Sequence, residues 1–249
     1  MEREKVDKII KVALKVLFSL LFVLLFLSVM RIEATKKPQE EINAILLKQQ
    51  QERIAEVTGK SMNENLPDTW PPKMNTEYPS LELIASDGKR FKLSDYKGKV
   101  IVLSYIDMSS PISQAQSGSG LSGPYGATVD TDPYAEPFED TLRKTLGDDD
   151  FDFPNDDVVQ VKVLVYSPAD EQASVDDAEG WAGHFDLTPE NGVIVAVPVK
   201  DIRGEETDTI INGFQLIDKN HILRVDSSGP EPKHNLKMTL IPLVPKLLR

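Results

Sequence analysis

Between Val100 and Gly118 the chain reads VIVLSYIDMSSPISQAQSG. An apolar run leads straight into Ser109, Ser110, Pro111, Ile112 and Ser113, which predicts a buried strand handing over to a helix start at the serines. Ser110 can cap that helix and Pro111 can take its first turn, since a hydroxyl accepts from an unpaired N–H and proline has none to leave unpaired. A thiol at such a junction would have its pKa lowered by the helix N-terminus and would act as a nucleophile. Here every candidate is a hydroxyl, which is not ionised near neutrality and forms no disulfide. The chain contains no cysteine at all. That excludes thiol peroxidation, thiol–disulfide exchange, structural disulfides, cysteine-ligated zinc and iron–sulfur chemistry together. Two uses remain for the serines: capping the helix, or forming with its first N–H groups a seat for a carboxylate or phosphate. Capping is the simpler use and is the expectation.

Other apparent motifs carry less. GSGLSG at Gly118–Gly123 matches G-x-G-x-x-G, but a helix rather than a strand is expected before it, so it reads as a loop. The acidic run Asp148, Asp149, Asp150, Asp152, Asp156 and Asp157 lacks the spacing and glycine of a calcium loop and reads as solvated. His184, His221 and His234 are far apart and form no metal pair at helical spacing. A serine–histidine–aspartate hydrolase would need a G-x-S-x-G elbow, which is missing. No catalytic residue, metal site or cofactor is assigned.

The 249 residues, 40% hydrophobic and 27% charged, suffice for one large or two small domains with a substantial core. A net charge of −12 argues against nucleic acid, whose phosphates call for clustered Lys and Arg. From Ile9 to Met30 the chain is almost wholly apolar and, as a helix, roughly 33 Å long, enough to cross a bilayer. Arg3, Lys5, Lys8, Lys11 and Lys15 outnumber Arg31, Lys36 and Lys37 on the far side, so the N-terminus is expected in the cytoplasm and the main domain outside it, in the periplasm if the cell is bacterial. No small-x-small cleavage site follows, and an uncleaved signal anchor is favoured over a cleaved signal peptide. The expected plan is a cytoplasmic stretch over 1–8, a span in the lipid bilayer over 9–30, a juxtamembrane helix and Pro-rich linker over 31–77, and a domain over 78–249 with an insertion at 118–157. Within the linker region, Pro38, Glu40, Glu41 and Gly59 bracket a helix from about Gln39 to Thr58. Trp70, beside two prolines, is expected to pack down on the domain.

The domain opens with a hairpin, LELIAS and RFKLS around an Asp-Gly turn. KVIVLSYID and VVQVKVLVYS are apolar enough to be strands covered on both faces. FEDTLRKTL and SVDDAEGWAGHF read as helices, the second with a capping box between Ser174 and Asp177. VIVAV, TIINGFQLIDKN and HILRVD supply three more strands, the last two joined at Lys219 and Asn220. NLKMTLI closes as a helix that Pro242 is expected to end. This order predicts an α/β sandwich with a mixed central sheet flanked by helices.

LELIASDGKRFKLSDYKGKVIVLSYID and GFQLIDKNHILR resemble the thioredoxin-like superfamily, in particular its membrane-anchored redoxins and the peroxiredoxins of the alkyl hydroperoxide reductase (AhpC/TSA) type. The resemblance covers roughly residues 78–249 and implies a thioredoxin-like sandwich. Aligned on Cys-x-x-Cys, Ser109 and Ile112 stand where cysteines belong. Aligned on the peroxiredoxin T-P-x-C, Ser110 and Pro111 keep their places and Ser113 replaces the peroxidatic cysteine. Asn212 takes the place of the thioredoxin cis-proline or the peroxiredoxin arginine. The resemblance therefore implies a degenerate redox site at Ser109, Ser110, Pro111, Ile112, Ser113 and Asn212. The expected function is binding of a protein partner, as a non-catalytic accessory or assembly subunit of a membrane complex. Two alternatives stand beside it: a redoxin-family oxidoreductase of undisclosed chemistry, and a carrier similar to the Sco-type copper proteins. For the carrier only Met108, the serines and His221 or His234 remain, a poor soft-metal set.

Overall fold

The structure, a computed structural model, describes residues 66–67, 69–126, 136–147, 151 and 153–249, within a compact unit running from Met62 to Arg249. The expected span over 9–30, the helix from about Gln39 to Thr58 and four acids of the insertion, Asp148, Asp149, Asp150 and Asp152, lie outside the described residues. Among the described residues no helix is long and apolar enough to cross a membrane.

The chain forms a hairpin of β1 (Glu82–Ala85) and β2 (Arg90–Lys92), then β3 (Val100–Asp107), α1 (Pro111–Ser117) and the single turn α2 (Ser119–Ser122). It continues through α3 (Phe138–Leu146), β4 (Val158–Tyr166), α4 (Val175–His184), β5 (Val193–Pro198) and the short α5 (Glu205–Asp208). The hairpin of β6 (Gly213–Ile217) and β7 (Leu223–Ser228) follows, and α6 (Ile241–Leu248) comes last. The strands make one seven-stranded sheet in the order β2-β1-β5-β4-β3-β6-β7. β3, β4 and β5 are mutually parallel, and the remaining pairings are antiparallel. β3 and β4 are buried along nearly their whole length, which is why their sequences show apolar runs rather than alternation.

The handedness of the connections decides where the helices go. β3 to β4 and β4 to β5 step in one direction across the sheet, so right-handed crossovers put α1 and α4 on the same face. There Trp181 of α4 donates its indole N–H to Ser117 Oγ of α1 (3.2 Å) and packs with Ile106, Met108, Leu164 and Val195. Phe138 and Leu142 of α3 join Leu240, Ile241 and Val244 over Val102, Phe214 and Leu216. The opposite face is covered by irregular chain: Trp70, Tyr78 and Leu81, with Ile202, Ile210 and Ile211 around α5. Trp70 is buried, and its indole donates to Thr207 Oγ1 (3.0 Å). The linker thus packs down as its aromatic content predicts.

Two local readings are corrected. The helix at NLKMTLI does not stop at Pro242: a π turn at Leu236–Leu240 passes into α6, which carries Pro242 and Pro245 and runs to Leu248. Pro242 removes an N–H where the π turn hands over to α6, and burial of Leu240, Ile241 and Val244 offsets that loss and the penalty at Pro245. The strand expected over TIINGFQLIDKN begins only at Gly213, because Asn212 turns the backbone into the left-handed region (φ +67°).

Candidate functional site

Where β3 leaves the sheet, Asp107 accepts from both Ser109 N–H (2.8 Å) and Ser109 Oγ (2.7 Å), a turn made by a side chain. Ser110 follows as the cap of α1, with Oγ 3.4 Å from the Ser113 N–H that donates to it, and Pro111 takes the first turn. The helix ends at Gly118 in the left-handed conformation. Facing this mouth is Asn212. Its N–H donates to Tyr105 O (3.0 Å) and its carbonyl accepts from Gly229 N–H (2.7 Å). Its left-handed φ is one that asparagine adopts more readily than most residues. Gly213 beside it also has positive φ, and a Cβ there would run into the Ser227 carbonyl, so the approach of β7 demands glycine. The side chain so held presents Oδ1 to Ser110 Oγ (3.0 Å) and Ser113 Oγ (2.6 Å), and both hydroxyls donate to it.

This arrangement is chemically quiet. The hydroxyl protons of Ser110 and Ser113 are engaged by a neutral amide oxygen, and among the described residues no carboxylate, imidazole or amine is bonded to either hydroxyl. A serine nucleophile needs such a base, and Ser113 is in any case only 1% exposed. Ser109 is exposed and bonded to Asp107, and Ile112 is exposed without a part in the cluster. Ser110 and Ser113, rather than Ser109 and Ile112, are therefore the pair that the fold brings face to face.

Residues that the sequence did not single out stand behind the mouth. Gln116 Oε1 accepts from Gly213 N–H (3.1 Å), and the Gln116 carbonyl accepts from Lys162 Nζ (2.9 Å). Lys162 is 1% exposed and lies 5.8 Å from the Phe214 ring centre. Burial pushes its pKa down to about 8, with the Glu139 charge opposing. The period-two spacing of Gln160 and Lys162 in VVQVKVLVY is the signal that could have marked a polar patch on one face of β4. At the neighbouring strand end, Tyr166 donates to Asp208 Oδ1 (2.7 Å) and accepts from Gly204 N–H (3.2 Å), while Arg203 forks onto Asp201. Burial, then the Asp208 carboxylate, push the Tyr166 phenol up.

The histidines are dispersed. His184 Nε2 lies 3.0 Å from the Gly123 carbonyl, His234 Nδ1 lies 3.2 Å from Asp226 O, and His221 is buried at the far end of β6 from Asn212. Met108 is also buried. Among the described residues no three His, Asp or Glu side chains are placed to hold a metal ion. GSGLSG follows a helix and forms the C-cap of α1 and the turn α2, so it frames no nucleotide loop.

No family model matches the chain, and neither does any curated protein. Among solved structures, a SCO1/SenC family lipoprotein from Bacillus anthracis is similar at 16% identity, covering 70% of this chain and 96% of its own, with a TM-score of 0.43. A copper-bound ScoI from Arabidopsis thaliana has 15% identity, coverages of 67% and 97%, and a TM-score of 0.40. An exposed lipoprotein thioredoxin from Streptococcus pneumoniae has 23% identity, coverages of 68% and 99%, and a TM-score of 0.37. Likeness of this degree says nothing about activity. The parallel β3-α1-β4 unit, the antiparallel β6–β7 hairpin beside β3 and the closing α6 make this domain thioredoxin-like, with Ser110, Ser113 and Asn212 at the helix mouth and no cysteine.

Proposed function

We propose that this chain is a single-pass membrane protein whose extracytoplasmic thioredoxin-like domain binds another protein, as a non-catalytic accessory or assembly subunit of a membrane complex. The observation that carries this reading is the closed hydrogen-bond cluster of Ser110, Ser113 and Asn212. Its groups satisfy one another at the mouth of α1, which supports recognition rather than chemistry as the domain's use. The apolar segment 9–30 and its flanking charges support the anchor, and the net charge of −12 supports a partner that offers basic surface. Ile112 and Leu121, 37% and 89% exposed, are apolar side chains available for contact.

The test is purification from native membrane in mild detergent, with identification of what stays bound. A stoichiometric protein partner that survives washing is the expected result. A chain that comes out of the membrane alone and monomeric sinks the proposal, and so does peroxide or disulfide turnover by the purified protein.

A further inference from the structure

The linker from residue 69 to residue 80 lies along the sheet as a strap. Trp70 and Tyr78 anchor it in the core. Between them its backbone pairs with the start of β7. Asn75 N–H donates to Leu223 O (2.8 Å), Leu223 N–H to Thr76 O (3.1 Å), and Tyr78 N–H to His221 O (2.8 Å).

At the end of this ladder sits the His221 side chain. It is 1% exposed, and neither ring nitrogen has a hydrogen-bond partner among the described residues. The Tyr78 ring stands edge-on to it, with centroids 6.0 Å apart at 74°. His221 is left-handed (φ +67°), and its N–H closes the β6–β7 turn onto Asp218 O (2.8 Å), so the turn fixes the backbone from which the ring projects.

Charged groups flank the β6–β7 turn from three elements. The strap brings Glu77. The loop before β3 brings Lys97, paired with Glu77 at 2.7 Å, and it touches the turn through Gly98 N–H to Lys219 O (2.9 Å). The turn and the start of β7 bring Asp218, Lys219 and Arg224. Asp218 is held by Arg224 (2.7 Å) and by the N–H groups of Asn220 and Ile222, and Lys219 lies 4.0 Å from Asp157. Burial, then the Lys97 charge, hold the His221 pKa below its usual value, with Glu77 and Asp218 opposing.

A neutral imidazole fits this place; an imidazolium brings a charge and a second N–H donor to a buried position with no acceptor bonded to either ring nitrogen. Protonation therefore weakens the closed arrangement. The β6–β7 turn belongs to the cooperative sheet, whereas the strap holds to it through a short backbone ladder between anchors fixed to Thr207, Tyr105 and Gln215, so that ladder is the easier part to loosen. We infer that His221 is a pH-sensitive clasp, whose protonation loosens the pairing of strap residues 75–78 with the β6–β7 turn and the start of β7.

The sign follows from linkage. The closed state binds a proton more weakly than a freed histidine, whose pKa is about 6.5. The clasp is therefore complete above that value, weakens as pH falls through it, and levels off once the closed state also protonates.

Hydrogen exchange on the full chain, with rates corrected for intrinsic chemistry, tests this at about pH 7.5 and about pH 5. Protection at Asn75, Tyr78 and Leu223 should fall at the lower pH, about tenfold for each pKa unit by which closure depresses His221, while β3 and β4 keep theirs. His221→Asn, which tolerates the left-handed backbone and does not titrate, should hold its protection at both values. Lys97→Met, which removes a cation opposing the imidazolium in the closed state, should shrink the loss of protection between the two pH values, and it keeps the test decisive should the histidine variant not fold. Equal protection of the wild-type strap at both values overturns the inference. So does a pH response retained in His221→Asn, a loss in Lys97→Met as large as in the wild type, or a loss shared equally by β3 and β4.

Discussion

Two hydroxyls that donate to one oxygen lie within two hydrogen-bond lengths of each other, and that closeness makes Ser110 and Ser113 testable. Replacing both with cysteine puts two sulfurs where a disulfide can close after small adjustment. The Ser110→Cys/Ser113→Cys variant should form a reversible internal bridge, read as thiols that titrate only after reduction. The Ser109→Cys/Ile112→Cys variant should keep both thiols free. If the second pair bridges and the first does not, the pairing read from the structure is wrong. Asn212 separates a hydrogen-bonding role from a conformational one. Asn212→Gly keeps the left-handed backbone and loses the acceptor for two hydroxyls, a loss of about 1–3 kcal/mol. Asn212→Ala loses the same acceptor and adds about 1 kcal/mol of backbone strain. Urea unfolding should therefore rank wild type above Asn212→Gly and Asn212→Gly above Asn212→Ala; the reverse order for the two variants would remove the conformational argument.

Helices α1 and α4 share a face because both crossovers are right-handed, and the start of the insertion is fastened across them. Gln114 donates to Met108 O (3.0 Å) and to Tyr125 O (3.2 Å) and accepts from Tyr125 N–H (2.8 Å). The Tyr125 ring then lies 5.3 Å from Trp181 and 5.4 Å from His184. Gly180 in α4 makes room for it, since a Cβ there would strike the Tyr125 hydroxyl. In an isolated helix alanine is better than glycine by up to about 1 kcal/mol. Here Gly180→Ala should destabilise by about 1–2 kcal/mol, because the ring must leave its seat. Tyr125→Ala combined with Gly180→Ala should recover most of the loss that Gly180→Ala alone adds, in a double-mutant cycle followed by thermal melting. Additive effects would mean that the two residues do not meet.

For the molecule as a whole, Lys162 is a cation held in the core against its hydration. Its pKa is lowered to about 8 by burial, against about 10.4 in an unfolded chain. Between those values the unfolded state holds the proton and the folded state does not, so stability should rise with pH across that window, by up to about 3 kcal/mol. Lys162→Met should flatten this slope in denaturant titrations run from neutral pH to about pH 10. An equal slope in both proteins would assign the effect elsewhere. The sequence by itself determined the absence of thiol chemistry, the order of the seven strands and of α1, α3, α4 and α6, the capped start at Ser110 and Pro111, and the capping box at Ser174 and Asp177. These features are compositional or reach no farther than one helical turn, so propensity and pattern suffice to read them. Only the tertiary structure decided that Asn212 meets Ser110 and Ser113 across 102 and 99 residues, that Lys162 is buried, and that α6 runs through two prolines. Those outcomes depend on strand order and register, which are set by burying whole faces of the sheet at once, and no local stretch of the chain contains that information.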